Sequence, residues 1–200
     1  MTTKKQEKIK FSKAFWVANT VELFERAAYY GVFIVITLYL SRILGFNDIQ
    51  AASIAGIFSA CLYLLPTFAG ALADKIGFRN SMLLAFTLLT CGYLGLAVYP
   101  TWLQSAGLVE YSTTTTFTGL LESNLQYGII PIMALIVCGG AFIKSVISGT
   151  VAKETTPETR AKGFSIFYAM VNIGAFSGKT IVKPLREALG LSLIHISEPT

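Results

Sequence analysis

Five long apolar stretches joined by polar turns predict an all-α membrane protein. Composition agrees: 54% of the residues are hydrophobic and 14% are charged, with a mean hydropathy of +0.61. A soluble domain carries about 25% charged residues. The third observation is the placement of the basic residues, which gather in alternate connections as they do in a chain threaded through a bilayer. The net charge of +5 is therefore a topology signal and no argument for nucleic acid.

The expected spans are Ala14–Leu40, Ala51–Ala73, Ser81–Tyr99, Tyr127–Val151 and Gly163–Val182. Each is long enough, at about 1.5 Å per residue, to cross a hydrocarbon core of roughly 30 Å. The fifth is interrupted by Asn172, Ser177 and Lys179. Lys4, Lys5, Lys8, Lys10 and Lys13 precede the first span. Lys75 and Arg79 follow the second, and Lys153, Arg160 and Lys162 follow the fourth. The other side has Arg42 in the first connection and no Lys or Arg from Pro100 to Gln126. The positive-inside rule then puts the N-terminus in the cytoplasm. Lys179, Lys183 and Arg186, at the end of the fifth span and beyond it, run against this pattern.

Residues 1–13 are expected to be a basic cytoplasmic segment and residues 14–190 a partial membrane bundle. The basic start is no cleavable signal, because the apolar stretch behind it is too long and lacks a small-residue cleavage site. The long connection Pro100–Gln126, with its Thr113–Thr116 run, is expected to be a solvated loop. Residues 191–200, Leu191 to Thr200, resemble a translated sequencing-library adapter in one reading frame and are expected to be an artefact. The sole histidine, His195, lies in that tail and carries no argument, and the genuine chain is expected to be truncated near Gly190. Cys61, Cys91 and Cys138 fall at membrane depth and are expected to be small packing residues, neither disulfide nor metal ligands.

Chemistry concentrates in the first span. Glu22, Glu25, Arg26, Tyr29 and Tyr30 are spaced by three, four, seven and eight residues, so on a helix they share a face. Charges at that depth are expensive and functional by default. Glu22, Glu25, Arg26 and Lys144 make two acids and two bases that can balance. A carboxylate in such a place keeps or takes up a proton according to whether a cation accompanies it. If Arg26 and Lys144 turn to the carboxylate of a substrate, Glu22 and Glu25 lose their partners and can take protons. Arg26 offers a planar fork and Lys144 a mobile point charge. The competing reading is a buried ion pair that only locks helices together. Tyr29, Tyr30 and Tyr63 would supply amphipathic walls. Asn172 has both a donor and an acceptor for an amide, and is equally suited to bonding between helices.

Two motifs resemble known families. Gly70, Asp74, Lys75, Gly77 and Arg79 match the major facilitator superfamily signature between its second and third helices, where a charge cluster latches the cytoplasmic side. Gly70 suits close helix approach, Gly77 a tight turn, and Asp74 with Arg79 can pair across the helix ends. The run Glu22-Leu23-Phe24-Glu25-Arg26-Ala27-Ala28-Tyr29-Tyr30-Gly31 resembles the signature of the proton-dependent oligopeptide transporter family. Gly139–Lys144 is similar to that family's fourth helix, with its cavity-facing lysine, and Gly163–Phe176 to its fifth. Tyr63 falls where the family has a substrate-contacting tyrosine. Two positions depart: Phe33 stands where relatives carry a gating arginine, and Ser145-Val146 where they often have Pro-Asn.

The resemblance implies most of the N-terminal six-helix bundle of a major facilitator transporter, with about five helices present. It implies import of di- and tripeptides with protons by alternating access, with a C-terminal bundle of the same chain as partner and no cofactor beyond the proton gradient. A bacterial inner membrane is the implied location. Two other functions stay open: transport of another small carboxylate or amino-acid derivative, to which the change at Phe33 points, and a non-transporting sensor or scaffold. An enzyme is not expected, for the sequence has no metal-ligand spacing, no glycine-rich phosphate loop and no histidine outside the tail.

Overall fold

The structure, a computed structural model, describes residues 10–108 and 124–188. Lys4, Lys5, Lys8, the Thr113–Thr116 run and the tail with His195 lie outside the described residues, as do the side chains of Lys183 and Arg186. Five long helices make up the fold: α1 Lys13–Leu38, α2 Asp48–Ile76, α3 Phe78–Ser105, α4 Ile129–Lys153 and α5 Arg160–Ala188. A wider π-type turn, Tyr39–Ile43, extends α1, and a 3₁₀ turn, Asn124–Gly128, leads into α4.

The helix ends follow local chemistry. The Ser12 hydroxyl accepts the Phe15 amide at 3.1 Å and starts α1. Asn47 and Gln50 form a reciprocal capping box at the head of α2. Between α2 and α3 the chain turns on Gly77 alone, at φ 85° and ψ 152°, a conformation that is essentially glycine's own.

Contacts fix the direction of every helix. Added Cβ atoms on Gly174 and Gly178 would come within 2.9 Å of Arg26 Cβ and of the Ala27 backbone, and one on Gly163 would meet Phe15 at 3.5 Å. Later residues of α5 thus meet later residues of α1, and the two run parallel. Gln50 reaches Tyr127, Leu62 touches Lys144 and Gly70 lies against Ser145, so α2 and α4 are also parallel. Gly139 meets Ala85 and Leu89 while Gly92 meets Ile136, so α3 and α4 are antiparallel. Val21 and Phe24 of α1 border Phe86 and Leu89 of α3, and Tyr39 beyond α1 donates to the Leu96 carbonyl, so α1 and α3 are parallel. The helices therefore alternate in direction, as successive membrane crossings must. A helix closes its backbone hydrogen bonds within the segment, which the bilayer requires, and the exception in α2 at Pro66 is met from α4 by Lys144.

The first four helices are each long and apolar enough to cross a membrane, and α5 is not among them. The fifth expected span, the one interrupted by Asn172, Ser177 and Lys179, thus forms a helix but is less apolar than the other four. Ser165, Asn172 and Lys179, at seven-residue spacing, put polarity along one exposed face of α5. Gly174 and Gly178 bring its backbone close to α1, and Phe167 adds a buried apolar side chain. Many large apolar groups elsewhere point outward, among them Phe24, Leu64, Phe68 and Leu94. Such a surface suits lipid. Cys91 and Cys138 also lie on the outside, contrary to the packing role expected of them, and Cys61 is half-buried; all three are free thiols.

Replacing Gly178 by Leu should push α5 off α1, because its first side-chain atom would overlap the Ala27 backbone. A loss of about 1–3 kcal/mol is expected, read as a lower thermal unfolding midpoint in detergent, whereas Gly56→Leu, with open space around it, should leave the midpoint in place.

Candidate functional site

Glu22, Glu25 and Arg26 are 2%, 8% and 4% exposed, so α1 turns the charges of its middle turns inward. Arg26 Nε lies 3.2 Å from Glu22 Oε1, and the guanidinium also binds Glu25 Oε2 through both Nε and a terminal nitrogen. One planar fork therefore holds two carboxylates from its own helix. That terminal nitrogen of Arg26, although in ion-pair contact with Glu25, is buried with no hydrogen-bond partner. Glu22 Oε2 is buried without a hydrogen-bond partner, as is Asn19 Oδ1 one turn earlier. Asn19 is fully buried and its amide donates to the Phe15 carbonyl at 2.8 Å.

Lys144 comes in from α4. Gly140 lets α4 approach so closely that a Cβ there would sit 3.9 Å from Glu25 Oε1. The Lys144 ammonium interacts electrostatically with Glu22, Glu25 and Arg26, and it donates to the Leu62 carbonyl at 3.2 Å. That carbonyl is available for a definite reason. Pro66 lies inside α2 four residues on and has no amide hydrogen to give it. The neighbouring Ser145 hydroxyl donates to the Pro66 carbonyl at 2.6 Å. Ser145, one of the two departures from the family pattern, thus works with Lys144 to fasten α4 to the proline-interrupted turn of α2.

The tyrosines divide. Tyr29 is buried: Arg26 lies over its ring at 5.3 Å, and the ring stacks on Phe33 at 5.5 Å and on Phe58 at 6.3 Å. It is a packing element under the ion cluster rather than the open wall expected of it, and Phe33, the other departure, extends the same stack. Tyr63 is exposed, with the Lys144 ammonium 4.5 Å from its ring centre. Tyr30 is half-buried, lies near Tyr63, and has Lys179 of α5 at 4.9 Å from its ring centre. Asn172 is exposed on α5 and joins neither the ion cluster nor the tyrosines.

Two cavities border these groups. One of 590 Å³ lies among α1, α3 and α4, where Tyr93 faces Glu25 among Phe24, Ala28, Leu89 and Ile143. The other, of 540 Å³, runs between α2 and α4 from Lys144 past Ser145, Pro66 and Gly70 to Asp74. It links the lysine to the signature turn. In that turn Asp74, Lys75, Gly77 and Arg79 are all exposed. Among the described residues the ion pairs are those of Arg26, so the expected Asp74–Arg79 pairing does not form. With both side chains at helix ends in water, such a pair would gain little. Gly70 sits at ordinary contact distance from Ser145, where the close helix approach was expected.

Tyr93, Asn19 and Pro66 were not foreseen. A phenol, an amide and a proline in otherwise apolar spans were the available signals. Among the described residues no group of three or more His, Cys, Asp or Glu is placed to hold a metal.

A family model described as Major Facilitator Superfamily matches residues 18–182. The chain is 26% identical over 186 residues to dipeptide and tripeptide permease B of Yersinia enterocolitica, covering 92% of this chain and 33% of that protein. It is 31% identical over 171 residues to dipeptide and tripeptide permease A of Salmonella typhi, covering 82% and 29%. To permease B of Photorhabdus asymbiotica it is 27% identical over 186 residues, covering 92% and 33%. The chain spans about a third of the length of the curated relatives it matches. No solved structure matches.

Arg26→Met should strand two buried carboxylates and cost about 3–5 kcal/mol, while Arg26→Met with Glu22→Gln and Glu25→Gln should recover much of that loss in thermal unfolding. Pro66→Ala returns an amide donor to the Leu62 carbonyl. The stability lost on Lys144→Ala should then be smaller by about 0.6 kcal/mol in the Pro66→Ala background, as read from a double-mutant cycle.

Proposed function

Because the chain belongs to the major facilitator superfamily, we propose that it forms most of the N-terminal bundle of a proton-coupled importer of di- and tripeptides. The relatives named as dipeptide and tripeptide permeases agree with the oligopeptide-transporter resemblance of the first span. The observation that carries the proposal is the unequal treatment of the two oxygens of Glu22. One is held by Arg26; the other is buried with no donor.

The site then works as follows. Arg26 and Lys144 are the cations available to a peptide carboxylate. Both already attend to Glu22 and Glu25. A substrate carboxylate that draws them away leaves the two acids in a low-dielectric place, where an uncompensated negative charge is costly. A proton on Glu22 Oε2 neutralises that charge. The resulting hydroxyl finds an acceptor in Asn19 Oδ1, three residues earlier on the same helix face and otherwise unpartnered. Substrate and proton thereby favour each other. Tyr30 and Tyr63 border the peptide, and Asn172, two turns before Lys179 on the same exposed face of α5, is the amide available to a longer one. Lys144 lets go of the Leu62 carbonyl as it binds, which loosens the proline turn of α2 above the signature segment Gly70–Arg79.

The remaining bundle of the transporter supplies the other half of the cavity and the group that receives the peptide amino terminus. The N-terminus lies in the cytoplasm, the membrane is a bacterial inner membrane, and the proton gradient is the only driving force, with no cofactor. Residues 191–200 take no part.

In the complete transporter reconstituted into vesicles, Glu22→Gln should abolish uptake driven by a proton gradient while peptide counterflow persists. Unchanged proton-driven uptake together with normal counterflow would remove Glu22 from the proton path. Lys144→Ala should weaken peptide binding by about tenfold or more, the effect of losing one charge-assisted hydrogen bond; unaltered affinity would place Lys144 outside the site.

A further inference from the structure

Away from the helix ends, the described helices carry two acids, Glu22 and Glu25, and three bases, Arg26, Lys144 and Lys179. Arg26 forms ion pairs with both acids, and Lys144 acts on them electrostatically from α4. Lys179 has no acid: among the described residues its contact is the ring of Tyr30, at 4.9 Å. A ring face attracts an ammonium but does not neutralise it. Lys179 is also not at the membrane edge. Gly174 packs at Leu23 and Arg26, and Gly178 at Ala27 and Gly31, which puts Lys179 level with Tyr30. Tyr30 lies near the middle of the apolar segment Lys13–Ile43. A lysine at that depth without a counter-ion is a site in want of an anion.

Its surroundings say which anion. Lys179 rests on Tyr30, Tyr30 lies near Tyr63, and Tyr63 carries Lys144 on its ring. Two ammonium groups from α5 and α4 thus flank a pair of phenols from α1 and α2. Lys179 is exposed among the described residues. We propose that Lys179 is a second carboxylate-binding residue of the cavity, which receives an acidic side chain of the substrate while Arg26 and Lys144 hold the main-chain carboxylate. This rests on the transporter reading for its substrate, and it adds a preference: peptides bearing Asp or Glu are bound better than neutral ones.

The test compares uptake of Ala-Glu and Ala-Ala by the complete transporter and by its Lys179→Gln and Lys179→Arg variants. Lys179→Gln should raise the half-saturating concentration of Ala-Glu by about tenfold, as for one lost charge-assisted hydrogen bond, and leave that of Ala-Ala unchanged. Lys179→Arg should retain the preference, which also guards against a variant that merely folds poorly. Equal effects on both peptides, or none, would overturn the proposal. A second measurement needs no transport: amine labelling of wild-type Lys179, mapped by mass spectrometry, should be slowed by Ala-Glu and by glutarate, and not by Ala-Ala. Protection by glutarate without any peptide uptake would uphold the carboxylate site and remove the peptide reading. Peptide uptake with no protection of Lys179 by either acid would keep the peptide reading and remove the site.

Discussion

Everything in this bundle is arranged around one guanidinium that holds two carboxylates inside a membrane helix. Arg26 cannot shed its proton, and neither acid can remain charged there without it. The cost of burying these ions sets demands on every neighbour. Tyr29 lies under the guanidinium, α5 approaches at Gly174 so that Arg26 is covered, and Gly140 opens α4 so that Lys144 comes near. A hydrophobic replacement of the same volume would be simpler and at least as stable. Charges retained at such cost suit a group whose protonation is meant to change.

The packing that encloses this cluster uses small residues and one deliberate defect. Lipid offers no hydrophobic drive to press helices together, so close backbone approach must supply the contact. Glycines provide it between α1 and α5 and between α3 and α4. The defect is Pro66, which leaves the Leu62 carbonyl without its helical donor. Lys144 fills that place from another helix. The same ammonium therefore attends to a backbone carbonyl, a ring face and the acid cluster at once, and whatever recruits it disturbs α2 as well as the acids.

Much of this was legible in the residues. Apolar length marked all five helices, and Gly77 marked the turn between α2 and α3 because its φ of 85° suits glycine. The three-and-four spacing of Glu22, Glu25 and Arg26 predicted a shared face, and the three do meet. What periodicity could not supply was the side of a helix on which a given tyrosine falls. Tyr29 and Tyr30 are adjacent, yet one is buried among aromatic rings and the other opens toward Lys179. Nor could a pattern within one helix reveal a bond between two, such as Lys144 to Leu62 or Ser145 to Pro66. Lys179 looked like a breach of the charge rule for loops; its level beside Tyr30 explains why it does not obey a rule for loops.

The most direct measurement is proton uptake on ligand binding by the complete transporter in weakly buffered detergent solution. Adding Ala-Ala should make the medium more alkaline as Glu22 takes its proton, and the signal should vanish in Glu22→Gln while the peptide still binds. Saturating peptide binding with no change in bulk pH would contradict the account, because the substrate would then leave the acids and their shared cation undisturbed.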